Sequence, residues 1–221
     1  MAIPLLEAID IHGKDISADA LLTQRPLTRY LVEQRQAHYH FTVKGNQSGL
    51  LEDIALYFQA RKAPEFVTVD FDHGRIETRK IWTITALNDY LEFPHVGQAF
   101  LIEREAFDKK TTKCSTEIAY GITSRRPEQA DAQRVLRINR GHWTIESCHY
   151  LLDWNYDEDR SRIRTGHGPQ NITRLRRFAI GVIKSKGVYS VAQKMRALTL
   201  NVRLVFDYLR MTKNTCPAVV R

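Results

Sequence analysis

Residues 38–44, HYHFTVK, alternate so regularly that Tyr39, Phe41 and Val43 must share one face of an extended strand. What flanks that strand narrows the fold. Before it, KDISAD (14–19) reads as a short strand running into a helix over ALLTQRPLTRYLVEQRQ (20–36). After it, GN turns the chain into QSGLLEDIALYFQARK (47–62), where Leu50, Leu51, Ile54, Leu56 and Phe58 recur at helical spacing. Strand, helix, strand, helix implies parallel strands covered by helices. His38 and His40, opposite Tyr39 on the strand, read as a polar outer face.

The character of the chain changes after Pro64. FVTVDFDHGRIETRKIWTITAL (66–87) is β-branched and aromatic with a turn at DHG, the pattern of a hairpin, and QAFLIERE (98–105) and CSTEIAYGITS (114–124) continue it. From RPEQADAQRVL onward the pattern is helical, broken by the loop DEDRSRIRTGHGPQN (157–171). A length of 221 residues suits one domain with a sizeable insertion. The expected organisation is α/β over 1–62, a β-rich insertion over 63–124, and a helical part over 125–221.

Composition excludes several classes. With 43% hydrophobic and 26% charged residues the chain is globular, not disordered. No apolar run approaches the roughly 18 residues of a membrane span, and Glu7, Asp10 and His12 break up the first segment as no signal peptide allows. Three scattered cysteines form no CxxC pair, so a reduced, cytoplasmic setting is expected, with Cys148 a core residue. The balance of 33 Lys+Arg against 25 Asp+Glu, a net +8, suits a polyanionic partner.

The stretch INRGHWTIESCHYLLDW (138–154) concentrates the chemistry. At 100° per residue, His142, Glu146, His149 and Asp153 fall within about 60° on a helical wheel. Trp143, Ile145, Tyr150, Leu152 and Trp154 occupy much of the rest, so the helix reads as packed on most sides around a narrow titratable seam. Carboxylates walled by apolar groups require a cation among them. The spacing is neither HExxH nor a paired Glu-x-x-His, and carboxylates with imidazole help suit Mg²⁺ or Mn²⁺.

Taken in order, DISADALLTQ (15–24), YHFTVKGNQSGLLEDI (39–54), HGRIETR (73–79), YGITS (120–124), RGHWTIES (140–147), DEDRSRIR (157–164) and RLRRFAI (174–180) resemble the DDE transposases of bacterial insertion sequences. The group resembled has an RNase H-like core interrupted by a β-rich insertion. The resemblance implies a partial RNase H-like core here, DNA as partner, and carboxylates holding divalent metals, Mg²⁺ or Mn²⁺, for in-line attack on a phosphodiester. By position, Asp19 matches the second carboxylate and Glu146 the third, 127 residues further along, with His142, His149 and Asp153 as neighbours. Asp19 also suits a helix N-cap, and the two roles are compatible at the carboxyl end of a strand. Lys44, Asn46 and Gln47 match the family's KGNQ and are placed beside the site. Arg75, Arg79, Arg140, Arg160, Arg162 and Arg164 are candidate DNA contacts, with Glu77 pairing one of them and Asp157, Glu158 and Asp159 partly pairing the arginine loop.

The match departs from the family in two ways. The segment MAIPLLEAIDIHGK resembles the linker into the second-carboxylate strand, so Asp10 is no first carboxylate, and a chain truncated before that strand and inactive alone is expected. The Tyr-Arg-Glu-Lys signature is also altered: Asn139, His142 and Asp153 stand where the tyrosine, arginine and lysine would be. Three functions are therefore carried: transposase, a DNA-binding remnant acting on an intact transposase, and an RNase H-like nuclease. The expected partners are DNA at element ends and target, and a homodimer or mixed assembly with intact transposase.

Overall fold

The structure is a computed structural model that describes residues 2–72 and 74–211. It contains six strands in one open, mixed sheet of order β1-β2-β6-β5-β4-β3. Strands β1 (Asp15–Ala18) and β2 (His38–Val43) pair in parallel, and β6 (Cys114–Thr123), β5 (Gln98–Asp108), β4 (Arg75–Ile84) and β3 (Phe66–Asp72) follow as antiparallel neighbours. The fold is α/β with a helical C-terminal part. The β-rich stretch is continuous with the sheet that β1 and β2 begin, because β6 pairs directly with β2. The chain divides into two compact units, Met1–Trp143 and Thr144–Arg221.

In the first unit both sheet faces are covered near β2. On one face Tyr39, Phe41 and Val43 are buried with Leu31, Ile54, Phe58, Leu101 and Ile122, under α2 (Arg25–Arg29) and α3 (Ser48–Gln59). Helix α1 (Ala2–Glu7) adds Ile3 and Leu6 to that core. On the other face α4 (Ala132–His142) buries Val135 and Leu136 against Ile81, Phe100 and Ile102. Asp131 starts α4 by accepting the Arg134 N–H at 2.7 Å, the N-cap its side chain is suited to.

Two details differ from the sequence reading. The expected helix over 20–36 is three pieces: a 3₁₀ turn at Ala20–Leu22, α2, and a π turn at Tyr30–Gln34 closed by Arg35 N–H to Tyr30 O at 3.1 Å. Pro26 has no N–H to continue a helix from the preceding turn, so the helix restarts with the proline in its first turn. His40, expected on a polar outer face, is 2% exposed. Its ring stacks on Phe100 at 4.5 Å and its Nε2 lies 3.4 Å from Asn139 Nδ2, because α4 covers this face. Burial pushes its pKa down to about 3.

The second unit is helical: α5 (Thr144–Tyr150), a π turn at Leu151–Asn155, α6 (Gly168–Lys184), α7 (Val191–Leu200) and α8 (Val202–Tyr208). Cys148 is half-buried, with the Lys184 ammonium 3.0 Å from its sulfur, so it is not the core residue expected from its neighbours. No helix among the described residues is long and apolar enough to cross a membrane.

Candidate active site

Asp19 stands where β1 ends, and Lys44 where the parallel neighbour β2 ends, so both leave the sheet at the same edge. Asp19 caps the Ala20–Leu22 turn: its Oδ1 accepts the Ala20 N–H at 2.7 Å and the Lys44 ammonium at 3.2 Å. The backbone bond first, then Lys44, and then the charge of His142 hold its carboxyl below the ordinary carboxylate range, so it is ionised. Its side chain is 66% exposed. The N-cap role and the open carboxylate coexist, as a strand-end ligand requires. Asn46 donates to Ala20 O at 2.6 Å and Gln47 to Thr23 O at 3.0 Å, while the Thr23 hydroxyl reaches Thr42 O at 2.8 Å. The GNQ turn thus braces the turn that carries Asp19, and both side-chain amides are used for that purpose.

His142 belongs to this group. It is the last residue of α4, and its Nδ1 lies 3.3 Å from Ser17 Oγ on β1. The seam read as one helix is therefore two: α4 ends at His142, Trp143 caps it, and α5 begins at Thr144. The π turn at Leu151–Asn155 then adds a residue to the turn, with Tyr156 N–H bonding to Leu151 O at 3.2 Å, so a uniform 100° wheel does not hold across the stretch.

In the second unit Glu146, His149 and Asp153 do face one space. With Tyr150, Trp154, Asp159 and Arg160 they line a cavity of about 650 Å³. The seam's flanks are not buried as expected. Tyr150 is 58% and Trp154 63% exposed, and of the seam's bulky neighbours Leu152 alone is buried. The aromatic residues line an open cavity instead of packing into a core. The Arg160 guanidinium lies over the Trp154 ring at 5.7 Å, with Asp157 at 3.6 Å from its Nε. Sequence reading missed Tyr150, Trp154 and Asp159 as cavity-lining groups: Tyr150 and Trp154, one and two turns after Glu146, read as bulky packing residues, and Asp159 as a partner of the arginine loop.

Two of the remaining candidates, Arg79 and Arg140, are engaged in ion pairs. Arg79 bonds Asp70 at 2.8 Å and also Glu77, which in turn takes Arg104 at 2.6 Å; Arg140 meets Asp70 at 3.1 Å. Hydrogen bonding by Arg104 and the charge of Arg79 hold Glu77 below the usual carboxylate range. The three arginines of this network line a small cavity with Asn139 and Trp143. Arg75 is more open, pairing with Asp108 at 3.5 Å. Arg162 and Arg164 are exposed on the loop before α6.

Each unit offers hard oxygen donors: Asp19 in the first, already holding the Lys44 ammonium, and Glu146, Asp153 and Asp159 around the cavity of the second. That chemistry fits Mg²⁺ or Mn²⁺. Among the described residues, no three His, Cys, Asp or Glu side chains already converge as a ready-made metal site.

Comparison with known proteins agrees with the residue pattern. A family model described as the transposase DDE domain matches residues 1–180, a span containing both Asp19 and Glu146. The chain is 30% identical over 224 residues to "Putative transposase YncI" of Escherichia coli O157:H7, covering 94% of this chain and 56% of that protein. It is 26% identical over 219 residues to "H repeat-associated putative transposase YhhI" of Escherichia coli K12, covering 90% of this chain and 56% of that protein. A shorter match, 39% identical over 97 residues, is to "Uncharacterized protein in dhlA 3'region" of Xanthobacter autotrophicus, covering 42% of this chain and 31% of that protein. The chain spans about half the length of the curated relatives that it matches over most of its own. With four-fifths of its residues under the family model, this chain belongs to the transposase DDE domain family.

Proposed function

We propose that this chain supplies the second and third carboxylates, Asp19 and Glu146, of a transposase that moves an insertion sequence by metal-dependent phosphoryl transfer on DNA. The observation that carries the reading is the family match across residues 1–180, which takes in the strand-end aspartate and the Glu146 cavity together. A divalent ion bound there would polarise the scissile phosphate and stabilise the charge that develops on its oxygens. The chain's own groups do the rest. The Ala20 N–H and Lys44 keep Asp19 ionised, and the GNQ turn fixes where its carboxylate points. Both bonds to Asp19 fall on Oδ1, so the carboxylate could hold a divalent ion through Oδ2 while the Lys44 ammonium stays beside it, where it would meet a phosphate oxygen. Exposed Arg160, Arg162 and Arg164 supply positive charge along the backbone of the DNA.

The test is duplex DNA binding by the purified chain, measured by fluorescence anisotropy in EDTA and in Mn²⁺. The expected result is that Mn²⁺ tightens binding by the unaltered chain but not by Asp19→Asn or Glu146→Gln, while all three bind equally in EDTA. Equal binding with and without Mn²⁺ in all three would overturn the catalytic reading and leave a DNA-binding remnant.

A further inference from the structure

We infer that the apolar groove between α6, α7 and α8 receives an amphipathic helix whose polar margins carry carboxylates. The groove measures about 560 Å³ and is lined almost wholly by apolar side chains, among them Leu175, Phe178, Val182, Met195, Val202 and Leu209. Several that should be buried are open: Phe178 is 66% exposed, and Leu175 and Val202 are nearly as exposed. A contiguous open apolar surface of this kind marks a contact site. Its floor repeats at i, i+3, i+4 and i+7 along α6 (Leu175, Phe178, Ala179, Val182), the complement of a helix bearing apolar residues at the same spacing.

The rim decides the partner's charge. Residues 168–211 contain nine Lys and Arg and a single acidic residue, Asp207. Two of these cations are placed at the groove itself: Lys194 Nζ lies 4.9 Å and Lys186 Nζ 6.0 Å from the ring of Tyr208, which lines it. Arg174 stands one turn before Phe178 on α6 and is exposed. A helix with Glu or Asp flanking its apolar stripe meets both demands at once, desolvating the floor and pairing with the rim. Duplex DNA would satisfy the rim but gain nothing from leucine and phenylalanine on the floor.

The experiment titrates the full chain with a labelled 18-residue helical peptide having leucines at i, i+3, i+4 and i+7 and glutamates on both margins. A second peptide has lysines in place of the glutamates. The expected result is saturable binding of the acidic peptide, at least ten-fold weaker binding of the basic one, and a ten-fold loss in the Lys186→Glu/Lys194→Glu variant. Phe178→Ser, a change at an exposed position, loses affinity to a similar degree with an unchanged circular dichroism spectrum. Binding of both peptides equally, or of neither, overturns the proposal. So does a chain that sediments as a dimer whose dissociation accompanies peptide binding, which assigns the groove to a second copy. Displacement of the peptide by a 20-base-pair duplex, with Phe178→Ser leaving duplex affinity unchanged and abolishing no peptide binding, overturns it in favour of DNA.

Discussion

His40 gives the most quantitative prediction. Its imidazole is buried between Phe100 and Asn139, its Nδ1 has no hydrogen-bond partner, and burial first, with the charge of His142 adding to it and Asp15 opposing, pushes its pKa to about 3. In the unfolded chain an imidazole titrates near 6.5. Below pH 6.5 the unfolded state therefore binds a proton that the folded state refuses, and stability falls as pH drops, with the full loss reached near pH 3. Between pH 8 and pH 5 the loss expected from His40 alone is about 2 kcal/mol, from the ratio of unfolded to folded proton binding at pH 5. Asp15, whose folded pKa is lowered from a much more acidic starting point, titrates outside this window. His40→Phe keeps the ring stack on Phe100 and removes the titration. It leaves the Asn139 amide unpaired, at a cost of about 1 kcal/mol that is the same at both pH values. Urea unfolding of the two proteins at pH 8 and pH 5 reads the difference. The variant should lose about 2 kcal/mol less than the unaltered chain between these pH values. A variant that loses as much as the unaltered chain would refute the burial argument.

Three further outcomes follow from the packing. Gly121→Ala places a Cβ into the Phe100 ring and 2.7 Å from Phe41 O, at the centre of the sheet, so it should cost about 2 kcal/mol or more in chemical denaturation. Asp15→Asn removes the charge shared by Arg125 at 2.6 Å and Arg134 at 2.9 Å and one of the two accepting oxygens; burial raises the Asp15 pKa, but the two guanidiniums outweigh it and leave the net value lowered. The cost should be about 1–3 kcal/mol at pH 7, and it should shrink as pH falls through the folded pKa, where Asp15 itself protonates and loses its pairs. Trp154→Ala, at an exposed cavity wall, should change stability by less than about 0.5 kcal/mol by the same assay; a loss near 3 kcal/mol would instead make Trp154 a core residue.

The strands were legible because alternation is a local pattern: HYHFTVK and the four strands of the β-rich stretch stand close to where their residue types place them. The parallel pairing of β1 with β2 followed from the helix between them. What escaped was whatever depends on a distant neighbour. His40 reads as a surface residue until α4, about a hundred residues later, covers it. His142 looks like part of a seam until the helix stops at Trp143 and leaves it with the sheet, beside Ser17. Tyr150 and Trp154 read as core because their size predicts burial; they line an open cavity instead. Arg79 resembles a DNA contact from its motif, with Glu77 on its own strand as the expected partner; the cross-strand register adds Asp70, which the sequence does not show.

The central claim is that Asp19 and Glu146 serve one divalent ion. Mn²⁺ binding to the unaltered chain, Asp19→Asn, Glu146→Gln and the double variant, followed by electron paramagnetic resonance, tests it directly. A shared ion predicts that each single substitution weakens binding about ten-fold or more, a loss of about 1.4 kcal/mol, and that the double variant is scarcely weaker than either single one. Independent, additive losses, or a single substitution without effect, would place the two carboxylates at separate sites and contradict the account.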